Sequence, residues 1–394
     1  MASRQLLQPP RLRSLEDGEE RRATWLELFY DLVFVVAIAE LAHFLSGHVS
    51  AGGFWGFVLL FIPVWWCWVG ATFYATRFDT DDISDRLLTL TQMAIIAIMA
   101  ANVHQGLGES GSFFAGSYAA FRSVLIMQYL SAGFYIPAVR PLTAWYATGF
   151  GASLALWLLS IWVPAPWRFA LWVCGLLIDF CTPLTAGRLV SQFPPSMTHI
   201  PERVGLFTII VLGESVVGVV RGLSELEWTA VAVLTALLGL SSAFSLWWLY
   251  FDTVDGSPLK AMKRGQMGIS LLWLYTHLPL TLGLVMTGVG VERVLSMGPA
   301  TVPSWGDRWL ICGGVAIALI CLAIIHLITC TLGTVQRRKV VSAYRLVGAT
   351  FVLALGTSTS LSALGLVLLV AVTCVVEIGL DLFAQRRQRK VLQP

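Results

Sequence analysis

The sequence predicts an all-α integral membrane protein of about twelve spanning helices, set out as two parallel six-helix repeats with both termini cytoplasmic. Three observations predict it. Of the 394 residues, 57% are hydrophobic and only 12% are charged, about half the charged share of an ordinary soluble protein. Apolar runs of the length needed to cross a hydrocarbon core about 30 Å thick recur along the whole chain. The segments between these runs are alternately rich and poor in Lys and Arg.

Residues 1–24 are polar and carry five arginines. No short apolar region with a small-residue cleavage site follows, so this is not a signal peptide. It is expected to be a cytoplasmic tail, mobile up to about Leu15. Spans are predicted near 25–46, 54–76, 86–104, 113–136, 142–163, 166–187, 203–222, 228–250, 265–288, 308–332, 341–357 and 360–383. Membrane repeat one then covers 25–188 and repeat two 203–384. Between them lies a cytoplasmic linker, 189–202, with Pro194-Pro195. The last two spans divide at Gly356-Thr357-Ser358-Thr359.

With the N-terminus inside, 21 of the 26 Lys and Arg residues fall on the inner side. Arg168, Arg221, Arg293 and Arg308 fall outside, and Arg122 lies within a span. One helix more or fewer would scramble that alternation. The tail 385–394 carries the basic cluster Arg386, Arg387, Arg389 and Lys390. Besides setting orientation, it is expected to touch anionic lipid.

Internal marks support a duplication. Glu40 and Glu214 are 174 residues apart, and Phe78-Asp79-Thr80 recurs 173 residues later as Phe251-Asp252-Thr253. Each FDT follows a Trp-rich span. An even helix number per half makes the repeat parallel rather than inverted. The plainer alternative is that FDT marks two helix ends where Asp caps.

Charges inside the spans are costly and need partners, water or a task. Helical rise places Glu40 roughly 22 Å, Glu214 roughly 16 Å and His277 roughly 18 Å from the inner ends of their helices, with Arg122 roughly 14 Å below the outer end. Arg122 there needs an acid, and Glu40 or Glu214 is the expected partner. His277 precedes Pro279 by two residues, and a proline in a span frees a backbone carbonyl. Asp31 and Asp179 lie deeper toward the inside, with Glu27 one turn from Asp31 on the same face. Glu40 and His43 share a different face. Glu377 and Asp381 are expected to meet the interface and the basic tail. One reading is a water-accessible path between the halves, along which carboxylates and His exchange protons. The other is a set of buried ion pairs that fix the packing.

The loop acids Asp79, Asp81 and Asp82, with Asp252 in the second copy, form a cytoplasmic acidic motif. The glycine and terminal Glu of an EF-hand are missing, so Asp81 and Asp82 are expected to cap the following helix rather than bind calcium. The seven cysteines lie in apolar runs without a C-x-x-C pair. G-x-S-x-G, H-E-x-x-H and Walker sequences are absent too. No enzyme activity, cofactor, metal or nucleic-acid partner is therefore expected.

The segment Glu27-Leu-Phe-Tyr-Asp-Leu-Val-Phe-Val-Val-Ala-Ile-Ala-Glu-Leu-Ala-His43 resembles the opening signature of the bacterial low temperature requirement protein A family. So do Arg77-Phe-Asp-Thr-Asp-Asp82, His199-Ile-Pro-Glu-Arg203 and Gly205-Leu-Phe-Thr-Ile-Ile-Val-Leu-Gly-Glu214-Ser215. The resemblance runs through both halves. It implies a polytopic protein of the bacterial cytoplasmic membrane, named for growth in the cold, and brings no molecular activity with it. In that family the position of Glu40 often carries Gln. This points away from Glu40 as a proton carrier and toward Asp31, His43, Glu202 and Glu214.

The leading expectation is a secondary transporter of a small solute or ion, coupled to protons through these groups. The six-plus-six layout is shared with the major facilitator superfamily. A cation channel is the first alternative, since Arg203 to Thr208 loosely resembles part of the opening signature of lysosomal potassium channels. A membrane scaffold or lipid-responsive protein is the second.

Overall fold

Lipid offers no partner for a backbone N–H or C=O, so a chain that crosses it must do so as helices or a closed barrel. The computed structural model takes the first route. It describes residues 10–12, 24–79, 83–196, 199–224, 228–254, 257–259, 267–329 and 334–392, with the side chains of Asp79 and of 387–392 outside the described set. Among these residues the first six long helices are α1 (Trp25–Gly47), α2 (Ala51–Arg77), α3 (Ile83–Ala101), α4 (Gly111–Tyr135), α5 (Arg140–Ser160) and α6 (Trp167–Thr185). A short α7 (Gly187–Gln192) follows. Then come α8 (His199–Ser224), α9 (Ala230–Phe251), α10 (Met267–Ser296), α11 (Trp305–Ile328), α12 (Val335–Thr357) and α13 (Ala363–Leu392). Every predicted span has its helix. Among the described residues, eleven helices are long and apolar enough to cross a membrane. α4 has the length, 25 residues, but carries Arg122 and Gln128. The protein is an all-α, multi-pass membrane protein.

Helix starts follow local chemistry. Thr229, Ser304 and Thr334 each accept the backbone N–H three residues on, which caps α9, α11 and α12. The break between α12 and α13 falls where the Gly356–Thr359 run predicts it, with Ser358 extended. Prolines stand inside α2, α6 and α10. In α10 the hydroxyl of Thr281 donates to the carbonyl of His277, beside Pro279.

The tail departs from expectation. Arg11–Leu12 forms a two-residue antiparallel ladder with Phe78–Asp79. The chain leaves α2 in an extended form because Phe78 is buried against Tyr74 and Tyr129. That exposes an edge for the tail to pair with.

The outer surface is apolar. On α1, Trp25, Phe29, Leu32 and Val36 are exposed, at a spacing that keeps one stripe of the helix. Such a stripe suits acyl chains.

The chain divides into two compact units. Unit one takes the described residues within 1–41, 56–204 and 260–267, and unit two those within 42–55, 205–259 and 268–394. The core of unit one is aromatic. Trp157 stacks on Trp172 at 5.0 Å and Tyr129 on Tyr146 at 5.0 Å, with Tyr118 4.1 Å from Trp157. Unit two packs through small residues. A Cβ on Gly283 would meet the Gly314 carbonyl oxygen at 2.7 Å, and one on Gly288 would meet Ser215 Cα at 2.9 Å. These glycines let α10 lie against α11 and α8 at backbone distance.

Candidate functional site

The site begins with a helix start. Thr24 and Glu27 form a reciprocal capping box on α1. The Thr24 N–H donates to Glu27 Oε2 at 2.8 Å, and the Glu27 N–H to Thr24 Oγ1 at 3.2 Å. Asp31 follows one turn later on the same face, 3% exposed. Its Oδ1 accepts from Trp68 Nε1 of α2 at 2.9 Å and from Arg203 Nη2 of α8 at 2.8 Å. Residues 199, 202 and 203 share one face of the first turn of α8. His199 lies between two acids, with Nε2 3.3 Å from Glu27 Oε2 and Nδ1 3.2 Å from Glu202 Oε2. Arg203 Nη1 is 4.0 Å from Glu27 Oε2. A guanidinium, an imidazole and three carboxylates thus meet in unit one, with His199, Arg203 and Asp31 almost wholly buried. Charge-assisted bonds of this kind are strong where water is scarce.

Beside the network is a cavity of about 440 Å³, lined by Thr24, Glu27, Tyr30 and Arg203 together with parts of α2, α3 and Gln128 of α4. Asp85, Thr89 and Gln92 reach it from α3, at the spacing of a single helix face. At this wall Gln92 Nε2 donates to Gln128 Oε1 at 2.9 Å, and the Tyr74 hydroxyl donates to the Gln128 carbonyl at 3.2 Å. The volume is that of a small-molecule pocket.

The other expected residues lie elsewhere. Arg122 pairs with Asp179 of α6, Nη2 to Oδ2 at 3.0 Å, both fully buried. Its expected partners, Glu40 or Glu214, are not the ones it has. Tyr118 closes the cluster: it donates to Asp179 and accepts from Arg122 Nη2 at 2.7 Å, while the guanidinium sits 4.7 Å over Phe150. A reach of several ångströms lets the long Arg side chain find an acid that its Cα depth had placed apart. Asp179 therefore belongs with Arg122 and not with Asp31.

Glu214 lies in unit two, with Arg221 of its own helix 3.5 Å away. Glu40 is half-buried and His43 is on an exposed face of α1. Buried His277 has Nδ1 2.7 Å from the Trp273 carbonyl oxygen and Nε2 3.3 Å from the Tyr250 hydroxyl. Asp252 accepts from Trp248 Nε1 at 2.9 Å, just past the end of α9. Neighbouring Thr253 accepts from Arg345 Nη2 at 2.9 Å, and the same nitrogen is 3.2 Å from Asp381 Oδ2. Asp381 therefore serves Arg345 and Arg337 of α12, and Glu377 packs on Gly348 of that helix. Both had been expected at the interface and the basic tail. Asp81 and Asp82 and the side chain of Asp79 lie outside the described residues. Among the described residues no group of three or more His, Cys, Asp or Glu could hold a metal ion.

Sequence reasoning missed His199, Arg203, Trp68, Tyr30, Thr72, Gln92 and Gln128 as site residues. Charge is the signal a sequence shows most plainly, and most of these side chains are uncharged. The polar stripe Asp85, Thr89, Gln92 on an otherwise apolar span was the available signal.

The chain was compared with known proteins. A model of the bacterial low temperature requirement A protein (LtrA) family matches residues 22–378. A protein of Rhizobium meliloti (strain 1021), described only as uncharacterized, is 29% identical over 300 residues, covering 71% of this chain and 71% of its own length. No solved structure matches. The family match takes in α1, the Phe78–Asp79 strand, the start of α8 and Glu214, which are the stretches that carried the resemblance. The chain belongs to the bacterial low temperature requirement A protein family.

Proposed function

We propose that the protein is a secondary transporter of a small solute in the bacterial cytoplasmic membrane, with its solute site in the cavity of unit one. Both termini face the cytoplasm in this reading, and the basic tail lies against anionic lipid. The observation that carries it is the placing of a partly polar cavity against Arg203, the partner of Asp31. A proton taken up by Asp31 removes the charge that holds Arg203 Nη2 at 2.8 Å and frees α8 to shift against α1. Glu27 and His199 lie within the same network and can pass that proton on.

Uptake of candidate solutes into proteoliposomes, with and without an imposed pH gradient, tests the proposal. Asp31→Asn keeps an oxygen for Trp68 and leaves Arg203 with Glu27 4.0 Å away, so the thermal midpoint in detergent is expected to fall, but by less than for a buried pair without a second acid, and uptake is compared per folded protein. Gradient-driven uptake is expected to fall by about tenfold or more, the weight of one charge-assisted bond. Undiminished uptake in a folded Asp31→Asn protein would sink the coupling role. A current that ignores the pH gradient would favour a cation channel instead.

A further inference from the structure

A second cavity lies within unit two, at the end where α1 finishes and α2 and α11 begin. It measures about 380 Å³. Met286 of α10 and Gly313 of α11 are buried in its floor, while Ile317 and Ile320 of α11 stand half-buried at its side. Trp55 and Trp305, each near the start of its helix, line it and are exposed. A buried floor with an exposed rim makes this a groove and not a closed void. Among the described residues that line it, only Ser50 and the tryptophans carry side-chain nitrogen or oxygen. Ser50 Oγ already accepts the Gly53 N–H at 3.0 Å. Ordered water needs several polar partners and does not find them here. An empty groove would forfeit the dispersion contacts of its whole lining. In a protein surrounded by lipid, the chemistry that matches this lining is hydrocarbon.

The dimensions fit a single chain lying along the bilayer normal. Trp305 and Ile320 are 15 residues apart on α11, a rise of about 22 Å. That is the depth of one leaflet of a bilayer about 40–45 Å thick with its headgroups. Tryptophan rings settle at the level where headgroup meets acyl chain, and Trp55 and Trp305 belong both to the rim and to the exposed apolar surface. The groove is thus continuous with the face that meets lipid. We propose that it holds one acyl chain of a phospholipid from the leaflet on the side where α11 begins, with the headgroup at the level of Trp55 and Trp305. Lipid elsewhere touches side chains that are exposed, such as Leu32 and Val36 of α1. The chain in the groove reaches Met286, which is only 5% exposed. This site is separate from the cavity of unit one and does not depend on the transporter reading.

Photolabelling tests it. Full-length protein is reconstituted in liposomes containing a phospholipid with a diazirine on one acyl chain, irradiated and digested, and the adducts are mapped by mass spectrometry. Leu32 and Val36 report contact with bulk lipid. Adducts are expected at these two positions and also at Met286 and Ile320. A Cβ on Gly313 would meet only Met286 Cε and Trp309 Cε3, each at 3.7 Å, so the position has room for a side chain. Gly313→Phe is expected to fill the groove and abolish the Met286 adduct while Leu32 and Val36 stay labelled. Gly313→Ala is expected to keep it. Adducts confined to Leu32 and Val36 in the parent protein overturn the inference, whatever the folding of the variants. So does a Met286 adduct that persists in folded Gly313→Phe. A bare Met286 in a protein that runs as a dimer, with Gly313→Phe running as a monomer, assigns the groove to a second copy of the chain and overturns it as well.

Discussion

Arg122 shows what a buried charge needs in this protein. It stands midway along α4 with no exposure, in a medium where an unpaired guanidinium is expensive. Asp179 neutralises it, Tyr118 links the two, and Phe150 and Tyr118 offer ring faces to the cation. Breaking a buried pair on one side leaves the other charge uncompensated, at a cost of about 3–5 kcal/mol, whereas replacing both partners by apolar groups is often neutral. Asp179→Asn and Arg122→Met are therefore each expected to lower the melting midpoint in detergent sharply. The double variant Arg122→Met/Asp179→Leu is expected to recover most of the loss. Additive losses in the double variant would show that the cluster holds more than a charge pair. The sequence pointed correctly to Arg122 as a residue in need of an acid but not to which acid. Depth along a helix follows from residue count, while the neighbour across the bundle depends on packing that no local spacing encodes. The same limit hid the Asp31–Arg203 contact, whose partners are 172 residues apart.

Elements were far more legible than their pairings. Apolar runs and loop charges located every long helix, because a lipid-crossing helix must satisfy its own backbone and needs a fixed length to do so. The packing faces were less so, since helices apolar all round carry little periodic signal. Glycine positions hold part of the missing information. On α10, Gly283, Gly288 and Gly290 each face the backbone of a neighbouring helix, and a Cβ on Gly290 would stand 2.5 Å from the Ile311 nitrogen. Backbone cannot yield as a side-chain tip can, so Gly290→Ala forces α10 and α11 apart at a cost of about 1–3 kcal/mol. Gly213 on α8 is the control, with nothing within 4 Å of its added Cβ. There alanine is expected to raise helix stability by up to about 1 kcal/mol. Thermal melts of the two variants side by side decide the matter. Equal midpoints would mean that close helix approach does not hold unit two together.

For the molecule as a whole, α4 decides the topology. Among the described residues, the other eleven long helices are apolar enough to cross a membrane by composition alone. α4 holds Arg122 and Gln128, and on composition it would be a poor candidate. Packing supplies what composition lacks. Arg122 is neutralised by Asp179, and Gln128 accepts from Gln92 of α3, so neither group need face hydrocarbon. With α4 counted the number of spans is even, and the termini share one side. Without it they are opposed, and every later loop exchanges sides, which would put the basic segments after α9 and α11 on the wrong face. Single cysteines at Ser110, before α4, and at Ala138, after it, separate the two cases in a background lacking the native cysteines. A membrane-impermeant maleimide applied to intact cells is expected to label Ser110→Cys and to spare Ala138→Cys until the membrane is opened. Labelling of both positions, or of neither, from outside would show that α4 does not cross. It would also leave the buried Arg122 cluster without its stated place inside the bilayer.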